Sequence, residues 1–466
     1  MNTLPAASPT SVQVLVNRQR NFYRTGATRP VEARQEQLKT LRQALEAWQD
    51  RLLRAVHADF QKPRQEVFLE IGTVLEEIDK AIKLLPTWAR TRHISTPIMH
   101  KPSSAMQVPE PLGVALVISP WNYPINLALV PVVGAIAAGN TVILKPSELS
   151  PVTSQALSEM VAEYFPAEWF TVALGGPEVS QALIVNPVDY VFFTGSPHVG
   201  KLIMASAAKN LVPVTLELGG KSPVIIDDKV ALDPVARRVL WAKTFNAGQT
   251  CLAGDYVLIP HSRKAEFYQK IQEGIGEFFG KNIEESRDFA RIISPKNVDR
   301  LAAMIVGNVV VGGKVNASAR FIEPTVIEVD DPETHPSMQE EIFGPILPVI
   351  GYDSIEEALA FVNARPKPLS LYLFSDSSKL QKRVQQETSS GSFVINDLIV
   401  QAALSDLPFG GVGNSGMSSY HGEKSFEIFS HFKSIMKRSL LVETPFRFPP
   451  YKASLSLMKT IMRWFG

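Results

Sequence analysis

The single cysteine of the chain, Cys251, stands in the segment Phe245-Asn-Ala-Gly-Gln-Thr-Cys251. A thiolate is a strong nucleophile, and Gly248, three residues earlier, lets the backbone approach a ligand closely. A lone cysteine in a cytosolic protein is more often inert core than a nucleophile. The polar, glycine-containing flanks favour the nucleophile, so Cys251 is a candidate for covalent catalysis.

Two other polar residues stand at the ends of apolar runs. Glu217 closes such a run just before Gly219 and Gly220, and a carboxylate there is costly if it is buried unpaired. It is either a surface strand end or a general base with a raised pKa, at the carboxyl edge of a sheet where ligands bind. Asn122 lies in the loop Ser119-Pro-Trp-Asn-Tyr-Pro124, where it either shapes the turn or presents an amide donor.

A glycine-bracketed turn, Gly195-Ser-Pro-His-Val-Gly200, follows the apolar run Tyr190–Phe193 and precedes a predicted helix over 201–209. A strand, a turn and a helix N-terminus in this order suit phosphate binding. The glycines are five residues apart and do not form GxGxxG. An ordinary connection between a strand and a helix therefore fits the same pattern.

These residues need a scaffold, and the pattern from residue 113 onward predicts one. Short apolar runs alternate with helical patterns at 125–138, 153–164 and 179–185, which predicts an α/β fold with a parallel sheet covered on both faces. The turn 218–220 divides two series of predicted strands, and we interpret it as a domain boundary. Residues 31–83 are predicted to be helical, and 93–108 to form an exposed arm or hairpin. The predicted strands are Gly113–Ile118, Thr141–Leu144, Thr171–Leu174, Tyr190–Phe193, Pro223–Ile226, Tyr256–Ile259, Pro348–Ile350, Leu371–Phe374 and Ser392–Ile395.

Composition excludes several classes of protein. The 466 residues carry a net charge of +1, which argues against a nucleic-acid binder. One cysteine allows no intrachain disulfide, and the histidines lack ligand-like spacing, so we expect no metal site. The N-terminus has no secretory pattern, and the apolar run 125–139 is too short to cross a bilayer, so it predicts a buried helix.

Seven motifs, spread in order over about residues 110–420, together resemble the NAD(P)-dependent aldehyde dehydrogenase superfamily. The segments Ser418-Ser-Tyr-His-Gly422 and Arg447-Phe-Pro-Pro-Tyr451 are similar to those of its class 3 and fatty aldehyde dehydrogenases. The chain departs from the class 3 pattern at Gly254, where that pattern usually has proline, and we expect a more flexible loop there. The motifs are Pro120-Trp-Asn-Tyr-Pro124, Lys145-Pro-Ser-Glu148, Phe193-Thr-Gly-Ser196, Glu217-Leu-Gly-Gly-Lys221, Gly248-Gln-Thr-Cys251, Glu341-Ile-Phe-Gly-Pro345 and Pro408-Phe-Gly-Gly-Val-Gly-Asn-Ser-Gly416.

The resemblance implies oxidation of an aldehyde to a carboxylic acid through a thiohemiacetal and a thioester on Cys251. It implies that Asn122 holds the oxyanion and that Glu217 activates the hydrolytic water. It also implies that NAD is preferred and NADP tolerated, because the carboxylate of Glu148 would repel a 2′-phosphate while Lys145 partly offsets the repulsion. The cofactor-binding residues it implies are Trp121, Lys145, Glu148, Gly195, Ser196, Gly200, Leu218, Glu341 and Phe343.

The resemblance further implies a Rossmann-like cofactor domain, a second α/β catalytic domain and a small β bridging arm that builds a homodimer. We expect the cofactor domain over 1–92 and 109–218, and the catalytic domain over 219–412. We expect the arm over 93–108 and 413–446, and a separate tail over 447–466. Two alternative functions stay open. One is a CoA-acylating semialdehyde dehydrogenase, which Glu217 disfavours, and the other is a non-catalytic binding protein on the same fold.

The tail is basic and amphipathic. Residues 433–466 carry a net charge of +6, which leaves −5 on the rest of the chain. Such a helix is too short to span a membrane. It either docks on the protein's own surface, contacts a membrane peripherally, or gates the substrate tunnel. We expect a cytoplasmic enzyme, peripheral on the cytoplasmic face of a membrane if the tail binds lipid, acting on apolar, aromatic, long-chain or isoprenoid-like (apocarotenoid-type) aldehydes.

Overall fold

The computed structural model describes residues 9–97, 100–186, 188–441, 443, 447–451 and 453–465. Its helices are α1 (Pro9–Arg24), α2 (Val31–Phe60), α3 (Arg64–Trp88), α4 (Asn126–Ala138), α5 (Pro151–Tyr164), α6 (Pro177–Val185), α7 (Pro197–Ala208), α8 (Leu232–Thr244), α9 (Lys264–Phe279), α10 (Pro295–Ala302), α11 (Pro336–Gln339), α12 (Ile355–Asn363), α13 (Ser378–Glu387), α14 (Gly422–Ile428) and α15 (Leu455–Phe465). Its strands are β1 (Arg92–Ile94), β2 (Ser103–Pro111), β3 (Val114–Ile118), β4 (Thr141–Lys145), β5 (Phe170–Val172), β6 (Tyr190–Gly195), β7 (Val214–Leu218), β8 (Pro223–Ile226), β9 (Tyr256–Pro260), β10 (Asn308–Val311), β11 (Val315–Asn316), β12 (Phe321–Ile322), β13 (Thr325–Glu328), β14 (Ile346–Tyr352), β15 (Ser370–Phe374), β16 (Ser392–Ile395), β17 (Gly416–Met417) and β18 (Ser430–Arg438).

The first sheet has six strands in the order β17-β7-β6-β3-β4-β5. The strands from β7 to β5 are parallel, and β17 runs antiparallel along β7. Ile118 lies opposite both Lys145 and Phe193, and Gly195 lies opposite Leu218. The carboxyl ends of these strands therefore meet at one edge, which is where open α/β sheets bind ligands.

The second sheet has seven strands in the order β10-β13-β14-β9-β8-β15-β16, all parallel except β10. The loops that precede β8, β9 and β14 lie at its amino edge and carry residues 219–222, 249–255 and 341–345. The α/β fold class is confirmed. The strands β10 and β13 were not among the predicted strands.

A small antiparallel sheet, β1-β2-β18, stands apart from the two parallel sheets. Strand β18 pairs with β2 along its whole length, from Ser430 opposite Pro111 to Arg438 opposite Ser103. The segment 416–428 lies elsewhere, because β17 pairs with β7 and α14 packs on α3 and α4. The domain bounds given above stay predictions.

Helix α4 is the centre of the core, since every residue from Leu127 to Ala138 is buried. It packs on α2 and α3 on one side and on β3 and β4 on the other. The apolar run 125–139 is therefore a buried helix, as predicted. No helix in the described ranges is long and apolar enough to cross a membrane. The helix α1 was not predicted. Its buried Gln19 donates a hydrogen bond of 2.8 Å to the carbonyl of Val142.

Candidate active site

The carboxyl edge of the six-stranded sheet and the amino edge of the seven-stranded sheet enclose a cavity of about 620 Å³. Asn122, Glu217 and Cys251 all line this cavity, although they are far apart in sequence. Lys145, Glu148 and Gly200 are not among its lining residues. The predicted cofactor residues that do line it are Trp121, Gly195, Ser196, Leu218, Glu341 and Phe343.

Cys251 is half-buried in the loop between α8 and β9. The preceding turn contains three consecutive residues with positive φ, Asn246, Ala247 and Gly248, at 54°, 52° and 71°. A Cβ on Gly248 would lie 2.3 Å from the carbonyl oxygen of Gly344, so this turn requires glycine. Burial, with smaller contributions from the carboxylates of Glu341 and Glu217, raises the pKa of the Cys251 thiol from 9.0 to about 12. The thiol therefore carries its proton at neutral pH.

Glu217 lies next to the end of β7 with its side chain buried. Neither carboxylate oxygen has a hydrogen-bond partner among the described residues. Burial raises the pKa of Glu217 well above its ordinary value of 4.5. A carboxyl group with a raised pKa and two oxygens free of protein hydrogen bonds, beside a cavity, can exchange a proton with a bound water.

Asn122 is held rigidly by its neighbours. Its side-chain amide donates a hydrogen bond of 3.0 Å to the carbonyl of Gln249. Gln249 is itself fixed, because its side chain donates to the carbonyls of Asn246 and Arg291 and accepts from the N–H of Ile293. An amide nitrogen carries two hydrogens, so one remains for a ligand in the cavity.

Glu341 presses against the turn after β7. A Cβ on Gly219 would lie 1.9 Å from a carboxylate oxygen of Glu341, so glycine is what allows this contact. Burial and the nearby Asp255 raise the pKa of Glu341 to about 8, although the backbone N–H of Gly220 opposes this by donating to the carboxylate. Phe343 has a φ of 52° and packs edge-on against Trp121, with ring centroids 5.5 Å apart.

Lys221 connects the cysteine loop to the Glu341 loop. Its ammonium donates hydrogen bonds to the carbonyls of Ser337 (2.7 Å) and Glu340 (2.9 Å) and forms an ion pair with Asp255. The second oxygen of Asp255 accepts from the N–H of Ile342 at 2.9 Å. No role was predicted for Lys221. Its position directly after two glycines was the one available signal.

Gly254, the departure from the class 3 pattern, is buried beside β8. A Cβ there would lie 2.6 Å from the side chain of Val224. Its carbonyl accepts a hydrogen bond of 3.1 Å from the buried Lys243. Close packing rather than a positive φ therefore favours glycine at this position.

The turn after β6 caps a helix. Helix α7 begins at Pro197, four residues before its predicted start, and the Ser196 hydroxyl accepts from the N–H of Val199 at 3.4 Å. Gly200 lies inside the first turn, where a Cβ would meet Leu218 at 2.7 Å. The N-terminus of α7 therefore opens on the cavity, in an arrangement that suits an anionic group.

Lys145 and Glu148 lie at the carboxyl edge of β4, outside the cavity lining. The buried ammonium of Lys145 donates to the half-exposed carboxylate of Glu148 at 2.7 Å. Within the described residues, no group of three or more His, Cys, Asp or Glu side chains is arranged to hold a metal ion. The Glu341 carboxylate offers acceptors for hydroxyl groups, and the N-terminus of α7 offers donors for phosphate. Both therefore fit NAD(P).

Comparisons with known proteins agree with this geometry. The sequence model of the Aldehyde dehydrogenase family matches residues 1–435. The 4,4'-diaponeurosporen-aldehyde dehydrogenase of Staphylococcus aureus (strain NCTC 8325 / PS 47) is 43% identical over 448 residues, covering 95% of this chain and 97% of that protein. Aldehyde dehydrogenase family 3 member B2 of Mus musculus is 45% identical over 436 residues, covering 93% and 91%.

Among solved structures, the substrate-bound state of Staphylococcus aureus AldH superposes with a TM-score of 0.94 at 42% identity. The match covers 97% of this chain and 99% of that one. The resemblance drawn from the motifs is thus confirmed over almost the whole length. The chain belongs to the aldehyde dehydrogenase family, close to its family 3 members, and is an NAD(P)-dependent aldehyde dehydrogenase.

Proposed function

We propose that this enzyme oxidises apolar aldehydes, of the long-chain, aromatic or isoprenoid-like (apocarotenoid-type) class, with Cys251 as nucleophile, Asn122 as oxyanion donor and Glu217 as general base. One observation carries the assignment of roles. A thiol, a rigid amide and a buried, unpartnered carboxyl meet in the same cavity. Each group has the chemistry that one step of aldehyde oxidation needs.

The first step is attack by sulfur on the carbonyl carbon. The Cys251 thiol loses its proton to water, the sulfur bonds to the carbonyl carbon, and the carbonyl oxygen becomes an oxyanion in a thiohemiacetal. The second hydrogen of the Asn122 amide and the backbone N–H of Cys251 stabilise that oxyanion. Removing one such donor typically costs about 3–4 kcal/mol of barrier, so the fixed position of Asn122 contributes directly to the rate.

The later steps return the enzyme to its resting state. When bound, NAD(P)⁺ would accept the hydride that the thiohemiacetal loses as it becomes a thioester. The Glu217 carboxylate then takes a proton from water, which attacks the thioester and releases the carboxylic acid and the thiol. Glu217 acts as this base only when it is deprotonated. Because its pKa is raised, hydrolysis becomes faster as the pH rises.

The nicotinamide cofactor is held, in this proposal, by the residues named for it from the sequence. Glu341 accepts from the nicotinamide ribose and Phe343 packs beside it, while Ser196 and Gly195 lie at the phosphates. Lys145 and Glu148 lie outside the cavity lining and contact the adenosine ribose. A carboxylate there disfavours a 2′-phosphate, so NAD is preferred and NADP tolerated. A titration that shows a clear preference for NADP would overturn this.

The walls of the cavity support an apolar substrate. Trp121, Leu127, Leu369, Phe409 and Tyr420 all line it. The similar enzyme from Staphylococcus aureus is named for a long polyene aldehyde. The affinity of such a cavity for an aldehyde increases by about 0.8 kcal/mol with each methylene of the substrate that is removed from water.

The test is a panel of short, aromatic, long-chain and polyene aldehydes with NAD, followed by absorbance of the reduced cofactor. Turnover that increases with chain length and disappears in Cys251→Ser supports the proposal. In Glu217→Gln we expect one equivalent of reduced cofactor per subunit and then arrest, because the thioester forms and is not hydrolysed. Turnover that requires CoA would instead favour the acylating alternative, and binding of NAD without any turnover would favour a non-catalytic protein.

The tail supports peripheral contact with a membrane. In α15, Leu455, Met462 and Trp464 are 76%, 64% and 73% exposed, beside the basic Lys459 and Arg463. Exposed apolar groups interleaved with cations suit an anionic lipid surface. Deleting 452–466 should abolish sedimentation with anionic vesicles and alter the chain-length profile. If both stay unchanged, the tail has neither function.

The small β1-β2-β18 sheet supports a homodimer. An antiparallel sheet whose outer strands carry unpaired backbone groups can be extended by a second copy of the chain. We place the enzyme in the cytoplasm, peripheral on the cytoplasmic face of a membrane. Light scattering after size exclusion gives the mass in solution, and a monomer at micromolar concentration would contradict the dimer.

A further inference from the structure

A buried ion pair lies next to the loop that carries Asn122, and its residues are not among those that line the cavity. The ammonium of Lys62 and a carboxylate oxygen of Glu70 are 2.6 Å apart, with side chains 0% and 2% exposed. Lys62 lies between α2 and α3, and Glu70 lies on α3. A charge pair is expensive to bury, so it needs further contacts to be retained at this depth.

The other side-chain hydrogen bonds of this pair go to the loop that carries Asn122 and to the start of α4. The Lys62 ammonium donates to the backbone carbonyl of Asn122 at 3.2 Å and lies 3.7 Å from the ring centroid of Tyr123. The other oxygen of Glu70 accepts from the N–H groups of Ile125 at 3.2 Å and Asn126 at 3.4 Å. The pair thus holds both the loop and the first N–H groups of α4.

We propose that Lys62 and Glu70 are positioning residues that fix Asn122 for stabilising the oxyanion. The inference rests on the role proposed above for Asn122. The main chain of Asn122 is held from one side by Lys62, and also by the Asn246 amide at 2.9 Å. Its side chain is held from the other side by the Gln249 carbonyl. Without the ion pair, one of these two anchors is weakened.

Cation and anion have different parts in this arrangement. The cation donates to the Asn122 carbonyl oxygen, whose other donor is the side-chain amide of Asn246. The anion satisfies N–H groups at the start of α4, which no helical carbonyl can reach. The same pair therefore supplies a donor and an acceptor at adjacent points of one loop. Donors aimed at an oxyanion act only if they are already in place when charge develops.

The experiment compares Lys62→Met/Glu70→Gln with Asn122→Ala and with the combination of all three substitutions. Removing both charges avoids leaving one of them buried alone. The double variant is therefore expected to be more stable than Lys62→Met by itself. The measurement is the single-turnover rate of reduced-cofactor formation at saturating NAD and aldehyde. Circular dichroism and NAD affinity confirm that each variant is folded.

The matched control is Arg34→Met. Arg34 is a buried cation that donates to the carbonyl of Ala137, at the far end of the same helix α4, at 3.2 Å. Its loss should cost stability without moving Asn122. We expect its single-turnover rate to stay within about threefold of the wild type.

We expect Lys62→Met/Glu70→Gln to lower the single-turnover rate by about 10- to 100-fold, as a misplacement of about 1 Å does. KM for the aldehyde should change less than threefold. In the Asn122→Ala background the same pair of substitutions should cost less than about threefold further, because the group it positions is already absent. That non-additivity is what a merely structural role would not produce.

Two results overturn the inference. In one, the double variant is folded, binds NAD and keeps the wild-type rate. In the other, the double substitution lowers the rate by the same factor with and without the Asn122 side chain, so the ion pair affects the rate by another route. Failure of the proposed function is a separate result, namely that Asn122→Ala itself leaves the rate unchanged or that the wild type oxidises no aldehyde.

Discussion

Replacing Glu217 with glutamine should make the protein more stable while it stops multiple turnover. The side chain of Glu217 is 3% exposed and its two oxygens have no hydrogen-bond partner among the described residues. In the unfolded chain the same group is an ordinary carboxylate in water. Folding therefore forces it either to lose its hydration or to hold a proton that the unfolded chain would release.

The magnitude follows from the proton. Burial raises the native pKa of Glu217 well above 4.5, so between 4.5 and that raised pKa the native state holds a proton that the unfolded state has lost. Holding that proton costs about 1.4 kcal/mol of stability for each pH unit within this range. Glutamine is neutral at every pH and removes this cost. At roughly 1–2 °C per kcal/mol for a chain of this size, the gain in Tm is about 1–3 °C for each pH unit within this range.

The sign of the pH dependence is fixed by the same reasoning. The native state binds more protons than the unfolded state, so the stability of the wild type falls as the pH rises above about 4.5. The advantage of Glu217→Gln should be under about 1 kcal/mol at pH 5 and should grow by about 1.4 kcal/mol per pH unit. It stops growing only when the pH reaches the native pKa.

The assay is calorimetry or fluorescence-detected melting of both proteins at pH 5, 6, 7 and 8. Glu70→Gln is the matched control, because Glu70 is equally buried but paired with Lys62, and its loss should lower Tm instead. A Glu217→Gln variant that melts at or below the wild-type temperature at pH 8, with no trend in pH, would refute the reasoning. It would mean that water or a shifted side chain already satisfies the carboxylate.

Three further predictions concern the cavity. Because the Cys251 pKa is about 12, iodoacetamide at pH 7.5 should alkylate it about 10³-fold more slowly than an ordinary thiol, and Glu341→Gln should speed the reaction at pH 9. Gly219→Ala should weaken NAD binding at least tenfold in a fluorescence titration, since its Cβ would displace Glu341, whereas Gly220→Ala meets its nearest atoms only at 3.4 Å and should bind normally. Lys221→Met should weaken NAD binding about tenfold and lower Tm, because it separates the two loops and leaves Asp255 unpaired. Normal NAD affinity in both Gly219→Ala and Lys221→Met would contradict this account of the Glu341 loop.

The strands and helices that are buried on all sides could be predicted from the sequence. Apolar strands such as Tyr190–Phe193 and the buried helix at 125–138 were recognisable because fully buried elements need uninterrupted apolar runs. Cys251 was selected by residue type and by its polar, glycine-containing flanks, whereas Glu217 and Asn122 were selected by residue type and by their place at the ends of apolar runs. The structure brings these three together in one cavity, whereas their catalytic roles stay proposals.

Other features depend on packing and could not be predicted. Lys62 stands between a glutamine and a proline, a setting typical of an exposed helix end, yet it is fully buried. Only the tertiary approach of α3 to the Asn122 loop gives it partners. The same applies to Lys145 and Glu148, whose ion pair lies beside the cavity rather than in its wall, because the direction of a side chain at a sheet edge is set by its neighbours.

The two-residue strand β17 has a consequence for synthesis. Gly416 lies opposite Glu217, about 200 residues earlier in the chain. A ribosome-bound chain that ends before residue 416 would leave this part of β7 without its neighbour, as an open edge able to pair with another nascent chain. The contact also closes late, since it joins segments far apart in sequence. The growing polypeptide thus loses an aggregation-prone edge at the same moment as it completes the surroundings of Glu217.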